Sequence, residues 1–104
     1  MISVSVLYPR QAGSKFDMDY YCATHIPLCR KLLGGALKGV IVEQGVLGPV
    51  PGSESPFMAI GQLRFDSVEA FQAAFGPVAK DILADIPNYT NVQPVIQVND
   101  IKLT

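Results

Sequence analysis

Regular hydrophobic patterning comes in six stretches along this chain, in the order strand, helix, strand, strand, helix, strand. Ser3 to Tyr8 alternate with period two, placing Val4, Val6 and Tyr8 on one face and Ser3 and Ser5 on the other. Pro9 ends this strand, and Gln11-Ala12-Gly13-Ser14-Lys15 is a loop. Asp17 is the expected N-cap of a first helix that carries to Leu33 and stops at Gly34-Gly35. Leu37 to Val46 and Phe57 to Phe65 read as two strands, joined by a loop from Leu47 to Pro56 that is rich in proline and glycine. Asp66-Ser67-Val68-Glu69 has the spacing of a capping box, with Glu69 reaching back to Asp66. The second helix then runs to about Ile86, disturbed at Gly76-Pro77 and broken by Pro87-Asn88-Tyr89. The last strand spans about Val92 to Leu103, with an interruption near Asn99-Asp100.

This order predicts an α+β chain, a ferredoxin-like βαββαβ sandwich with two helices on one face of a four-stranded antiparallel sheet. At 104 residues the chain is expected to form one domain, residues 1–104, with a modest core. The sheet's other face has no cover from within the chain. Ser3, Ser5, Gln62, Arg64, Gln93 and Gln97 fall there, at the same phase as Leu7, Met58, Ile60, Val95 and Ile101. A solvated face would carry more charge. Uncharged polar groups mixed with large apolar ones suit a homodimer interface, a barrel interior, or both.

Composition narrows the partners. Hydrophobic residues make up 49 % of the chain and charged residues 16 %, so apolar surface is left over for a ligand or partner. The net charge is −1 with no Lys/Arg run, which argues against nucleic acid and against an anionic membrane surface. No apolar run has the length of a membrane span, and the alternating N-terminus lacks the basic start of a signal peptide, so the expected compartment is the cytoplasm. Cys22 and Cys29 sit seven residues apart on the first helix. That is roughly 10 Å along the axis, beyond the Cα spacing of about 4.4–6.8 Å that a disulfide needs. The same distance defeats the metal pattern suggested by Cys22, His25 and Cys29, since both thiolates would have to reach one ion. Free thiols, no metal and no haem are the expectation.

The chemistry concentrates in Phe16-Asp17-Met18-Asp19-Tyr20-Tyr21-Cys22-Ala23-Thr24-His25-Ile26-Pro27-Leu28. His25 is the single histidine, and it lies one turn after Tyr21 and two residues before Pro27. Imidazole titrates nearest neutrality, so in a pocket it can give or take a proton. Pro27 lacks an N–H and disfavours helical geometry at Ile26, which predicts a kink or break between about Thr24 and Leu28. The bland role for His25 is to cap the carbonyl of Ala23 that Pro27 frees.

Tyr8-Pro9 followed by Phe16-Asp17, Tyr20-Tyr21, Thr24-His25 and Pro27-Leu28 resembles the opening signature of the EthD family, with no departure inside the signature. Length and element order agree over nearly the whole chain. The family is named from a bacterial gene cluster for ethyl tert-butyl ether breakdown, and it resembles the dimeric α+β barrel superfamily. The resemblance implies that two subunits pack their sheets face to face. It also implies a cleft beside His25, with Tyr8 and Tyr21 as neighbours. Superfamily relatives include lactone isomerases, polyketide cyclases, cofactor-free monooxygenases and haem enzymes, so fold alone does not fix the reaction.

Two function classes follow. One is a small-molecule protein of bacterial catabolism that binds an apolar or carbonyl-bearing metabolite near His25, with isomerase, cyclase or monooxygenase chemistry that needs no cofactor. The other is a non-catalytic accessory or metabolite-binding dimer that supports a partner enzyme. The candidate catalytic residue is His25, in a pocket between the first helix and the open face of the sheet. The candidate ligand-binding residues are Tyr8, Tyr21 and Arg64. Tyr21 otherwise simply packs. Arg64 and Glu43 are charges inside apolar strands, which either meet a ligand or pair with an opposite charge.

Overall fold

The computed structural model describes residues 1–104. Strand β1 (Ile2–Pro9) is followed by a helical segment of three parts: α1 (Met18–Tyr20), a π turn (Tyr21–His25) and α2 (Ile26–Leu33). Strands β2 (Gly39–Gln44) and β3 (Phe57–Phe65) come next. Helix α3 (Val68–Phe75), a 3-10 turn (Gly76–Val78), α4 (Ala79–Ala84) and a second 3-10 turn (Ile86–Asn88) lead to β4 (Val95–Asp100). The strands form one antiparallel sheet in the order β2-β3-β1-β4. This is the ferredoxin-like α+β arrangement, with the helices on one face.

The period-two reading of β1 sets that face. Val4 and Tyr8 are buried under the helices, and Val4 pairs with Leu63 and Val98 while Tyr8 pairs with Ala59. Beneath the helices the core forms two clusters. One gathers Ile2, Val4, Cys29, Leu33, Phe65 and Ile82. The other gathers Tyr8, Tyr21, Ile26, Ala59 and Tyr89 with their neighbours.

On the opposite face the polar residues join hands. Ser5 Oγ donates to Gln62 Oε1 at 2.7 Å and accepts from Asn99 Nδ2 at 2.8 Å, while Gln97 Nε2 donates to Asn99 Oδ1 at 2.6 Å. Ile41 and Val95 stay exposed on this face. Gln93 does not belong to it, because β4 begins after Pro94, which has no N–H to give a ladder. Asn99 and Asp100 do not interrupt β4: they pair with Ser3 and Ile2.

Two helix ends are as the sequence predicts. Asp17 accepts from the Tyr20 N–H, and Gly34 terminates α2 at φ 60°. Two other details differ. The cap of α3 is Ser67, whose extended backbone lets Oγ accept from the Ala70 N–H at 3.0 Å. Asp66 instead stands outside the helix, 3.9 Å from Lys38. At Pro27 the helix widens rather than breaks. The Ile26 N–H bonds the Tyr21 carbonyl five residues back, and Ile26 keeps helical dihedrals of −63° and −44°. A proline ring collides with the carbonyl four residues back in a regular α-helix. The wider turn moves that carbonyl aside, which removes the pressure on Ile26.

Candidate functional site

The π turn aims Tyr21 and His25 under the helices, where the end of β1 delivers Tyr8. All three are buried: Tyr8 and Tyr21 are 1 % exposed and His25 is 4 % exposed. Tyr21 stacks on His25 with centroids 5.5 Å apart and planes 15° apart. Tyr21 reaches this position because β3 carries Gly61 beneath it. A Cβ at residue 61 would overlap the Tyr21 hydroxyl.

Two further side chains complete the cluster, and neither was among the residues picked from the sequence. Asp85 follows α4, and Tyr89 follows the second 3-10 turn. That stretch is stitched to the start of the first helix. The Asp17 N–H donates to the Tyr89 carbonyl at 2.8 Å, Thr90 Oγ1 donates to the Lys15 carbonyl at 2.6 Å, and Asn91 Nδ2 donates to the Gly13 carbonyl at 2.9 Å. Asp85 lies 60 positions from His25 in the chain. Only the tertiary fold brings them together.

The hydrogen bonds have a defined direction. Asp85 accepts from His25 Nδ1 at 2.9 Å, from the Tyr20 hydroxyl at 2.7 Å and from Asn88 Nδ2 at 2.9 Å. Burial pushes its carboxyl upward, but the bonds from Asn88, Tyr20 and His25 outweigh that and hold it below the ordinary carboxylate range. It is therefore ionised at neutral pH and accepts only, so Nδ1 carries the proton. Burial pulls the imidazole below its usual pKa, and the Asp85 contact only partly offsets this, so the ring is neutral and Nε2 is the acceptor.

The Tyr89 hydroxyl accordingly donates to Nε2, at 3.4 Å. Its oxygen, with its own hydrogen so used, accepts from Tyr8, 2.7 Å away. Burial raises all three phenols well above their usual pKa, so they stay protonated. The result is a one-way chain from Tyr8 through Tyr89 to His25 and Asp85, against which Tyr21 packs. His25 spends neither nitrogen on the Ala23 carbonyl.

His25 also forms part of the wall of an apolar cavity of about 90 Å³ between the helices and the sheet. Every other residue of that wall is apolar or aromatic, including Tyr8, Tyr21, Val6, Ile26, Phe71 and Ile82. The cavity lies on the helix-covered face. The sequence reading had set it against the open face, where the helices do not reach. Arg64 is not part of the cluster. It is exposed on the open face, opposite Ser3 and Gly39, and neither it nor Glu43 forms an ion pair within the chain. Cys29 is buried in the cavity wall, and burial pushes its thiol up to about 11; Cys22 is exposed. No helix is long and apolar enough to cross a membrane.

Residues 12–93 match the family model for the EthD domain. Among solved structures, the chain is similar to an EthD-like protein from Ralstonia eutropha JMP134, with 38 % identity over 98 % of this chain and 92 % of that one, and a TM-score of 0.93. It also shares its fold with an ethyl tert-butyl ether degradation (EthD) family protein from Bacillus halodurans C-125. There the identity is 22 %, coverage is 97 % and 98 %, and the TM-score is 0.66. No functionally curated protein matches the chain.

Proposed function

Because this chain belongs to the EthD family, we propose that its cavity binds an apolar or carbonyl-bearing metabolite of bacterial catabolism and that His25 moves a proton on it. The supporting observation is a neutral imidazole in the wall of an apolar cavity, with Asp85 fixing its tautomer and orientation. Low dielectric strengthens every charge that develops there. The chemistry that suits such a site is isomerisation, cyclisation or oxygenation of an activated carbon acid, without a cofactor.

Tyr8 and Tyr21 would shape and solvate the ligand, while Arg64, on the opposite face of the sheet, would meet a separate carboxylate-bearing ligand there. In the same reading the chain acts as one domain in the cytoplasm. It forms a homodimer through the open face, where Ile41 and Val95 are exposed beside an uncharged polar ladder.

The test is α-proton exchange of an enolisable 1,3-diketone in D₂O, followed by NMR. His25→Asn should keep the fold and lose about 10²–10⁴-fold of the rate. Wild-type exchange no faster than buffer would remove the catalytic reading. It would leave the accessory role, which the small, almost wholly apolar cavity favours.

A further inference from the structure

We propose that the Tyr21 hydroxyl is the donor that holds the ligand: it gives its hydrogen to the carbonyl oxygen of a small neutral ketone or aldehyde, while Tyr8 only shapes the space. This rests on the reading above that the cavity is a ligand site.

The assignment starts from where the polar hydrogens go. The Tyr8 hydroxyl stands 2.7 Å from that of Tyr89. The Tyr89 hydroxyl reaches His25 Nε2 at 3.4 Å, and His25 Nδ1 donates to Asp85 at 2.9 Å. Those three hydrogens have acceptors inside the chain. Tyr21 stacks on His25 and meets Tyr8 edge-on, yet its hydroxyl takes part in none of these bonds.

Such a hydroxyl is uncommon, because buried polar groups are normally paired. Every sealed side-chain oxygen or nitrogen in this chain has a partner. The Tyr21 oxygen is therefore not sealed, although the residue as a whole is only 1 % exposed. The space it opens onto is the cavity, whose wall Tyr21 helps to form. Its position agrees. The oxygen lies over Gly61 of β3, where a Cβ would overlap it and would come within 4.0 Å of Leu63 Cδ1. Leu63 and Val6, the residue opposite Gly61 on β1, both belong to the cavity wall. The hydroxyl thus stands at the sheet-side floor of the cavity with its hydrogen uncommitted.

Three properties select the guest. Burial holds the phenol protonated well above the usual tyrosine range, so it offers a hydrogen at any working pH. No Asp, Glu, Lys or Arg lines the cavity, so an ion would be desolvated there without a counter-charge. The volume of about 90 Å³ is below the roughly 150 Å³ that accommodates benzene, which limits the guest to a few carbons. A small carbonyl compound meets all three. Its oxygen satisfies Tyr21 and adds no hydrogen of its own to an apolar space, and its short arms lie against Val6, Leu63 and Ile26.

The probes are 2-butanone and 2-methyl-1-butene. They share one shape, with a CH₂ group in the hydrocarbon where the ketone has its oxygen. Each is titrated into the wild type, Tyr21→Phe and Tyr8→Phe at neutral pH while the ring resonances of His25 and the tyrosines are followed by NMR. Both should move the wild-type signals. Tyr21→Phe should weaken the ketone about tenfold, the effect of one hydrogen bond, and change the hydrocarbon less than about twofold. Tyr8→Phe, which removes a hydrogen already directed at Tyr89, should change the ketone-to-hydrocarbon ratio less than about threefold. A second measurement needs no variant. The infrared carbonyl stretch of 2-butanone bound to the wild type should lie below its value in hexane.

A ketone affinity untouched by Tyr21→Phe, an equal loss for both probes, or a larger ketone loss in Tyr8→Phe would overturn the assignment to Tyr21. A carbonyl stretch at its hexane value would do the same. These results leave the cavity a ligand site. If neither probe moved the wild-type signals, the ligand-site reading itself would fall, and the assignment with it.

Discussion

Gly61 decides whether Tyr21 can lie flat against the sheet. A Cβ there overlaps the phenol hydroxyl, and Tyr21 has no room to retreat because it stacks on His25. Gly61→Ala should therefore cost about 1–3 kcal/mol, measured by urea unfolding. Adding Tyr21→Phe, which deletes the offending oxygen, should restore part of that loss. Strictly additive penalties would contradict the contact. The same cluster sets the response to pH. The folded pKa of His25 is lowered, so stability is full above the ordinary histidine value of about 6.5 and falls as acid forces a proton onto the ring. The lowered carboxyl of Asp85 adds a second loss below about 3.9. The raised tyrosines act oppositely: their contribution is full below about pH 10 and is lost above it, as the unfolded phenols ionise. His25→Gln should remove the first window and shrink the second, because His25 is one of the groups that lower Asp85. Thermal melts across pH would read all three. His25 and Tyr21 were legible in the sequence because one turn separates them. Asp85 was not, since no periodicity relates positions 60 residues apart; a carboxylate within Ile82-Leu83-Ala84-Asp85-Ile86 was the one available hint.

At the scale of elements, the caps carry the clearest test. Asp17 and Ser67 each accept a backbone N–H at a helix start. Asp17→Ala and Ser67→Ala should each cost about 1 kcal/mol in denaturant unfolding. Asp66→Ala should cost less than about 0.5 kcal/mol, because its contact with Lys38 is long and exposed. A larger loss at Asp66 than at Ser67 would reverse the assignment of the cap. Strand β3 is found at the residues its alternation marks, because both of its edges are paired. Strand β4 is shorter than its pattern. The apolar run from Val92 includes Pro94, and hydrogen bonding begins only beyond it. The response of the helix to Pro27 was legible as a disturbance but not as a type. Sequence reveals a missing donor, while the choice between a break and a wider turn depends on what Tyr21 and His25 can reach inside the fold.

For the whole molecule, the order of elements was enough to specify the sheet and its two faces. What covers the open face was not specified, since a polar ladder capped by exposed Ile41 and Val95 serves as a surface only while it is wet. The homodimer reading predicts an interface of at least about 1,200–2,000 Å² in total. Light scattering should then give twice the chain mass at micromolar concentration. Ile41→Glu, at a side chain 49 % exposed within the single chain, should halve that mass without unfolding the subunit. A wild-type monomer would sink the dimer, and an unchanged dimer in the variant would place its interface away from the open face.

The chain has four tyrosines and no tryptophan. Tyr8, Tyr20, Tyr21 and Tyr89 are all of them, and they stand ring to ring around His25. Its near-ultraviolet absorbance and its fluorescence therefore come from one place. The protein is its own optical probe: any guest beside His25 perturbs nearly the entire near-ultraviolet spectrum, and binding can be followed without a label.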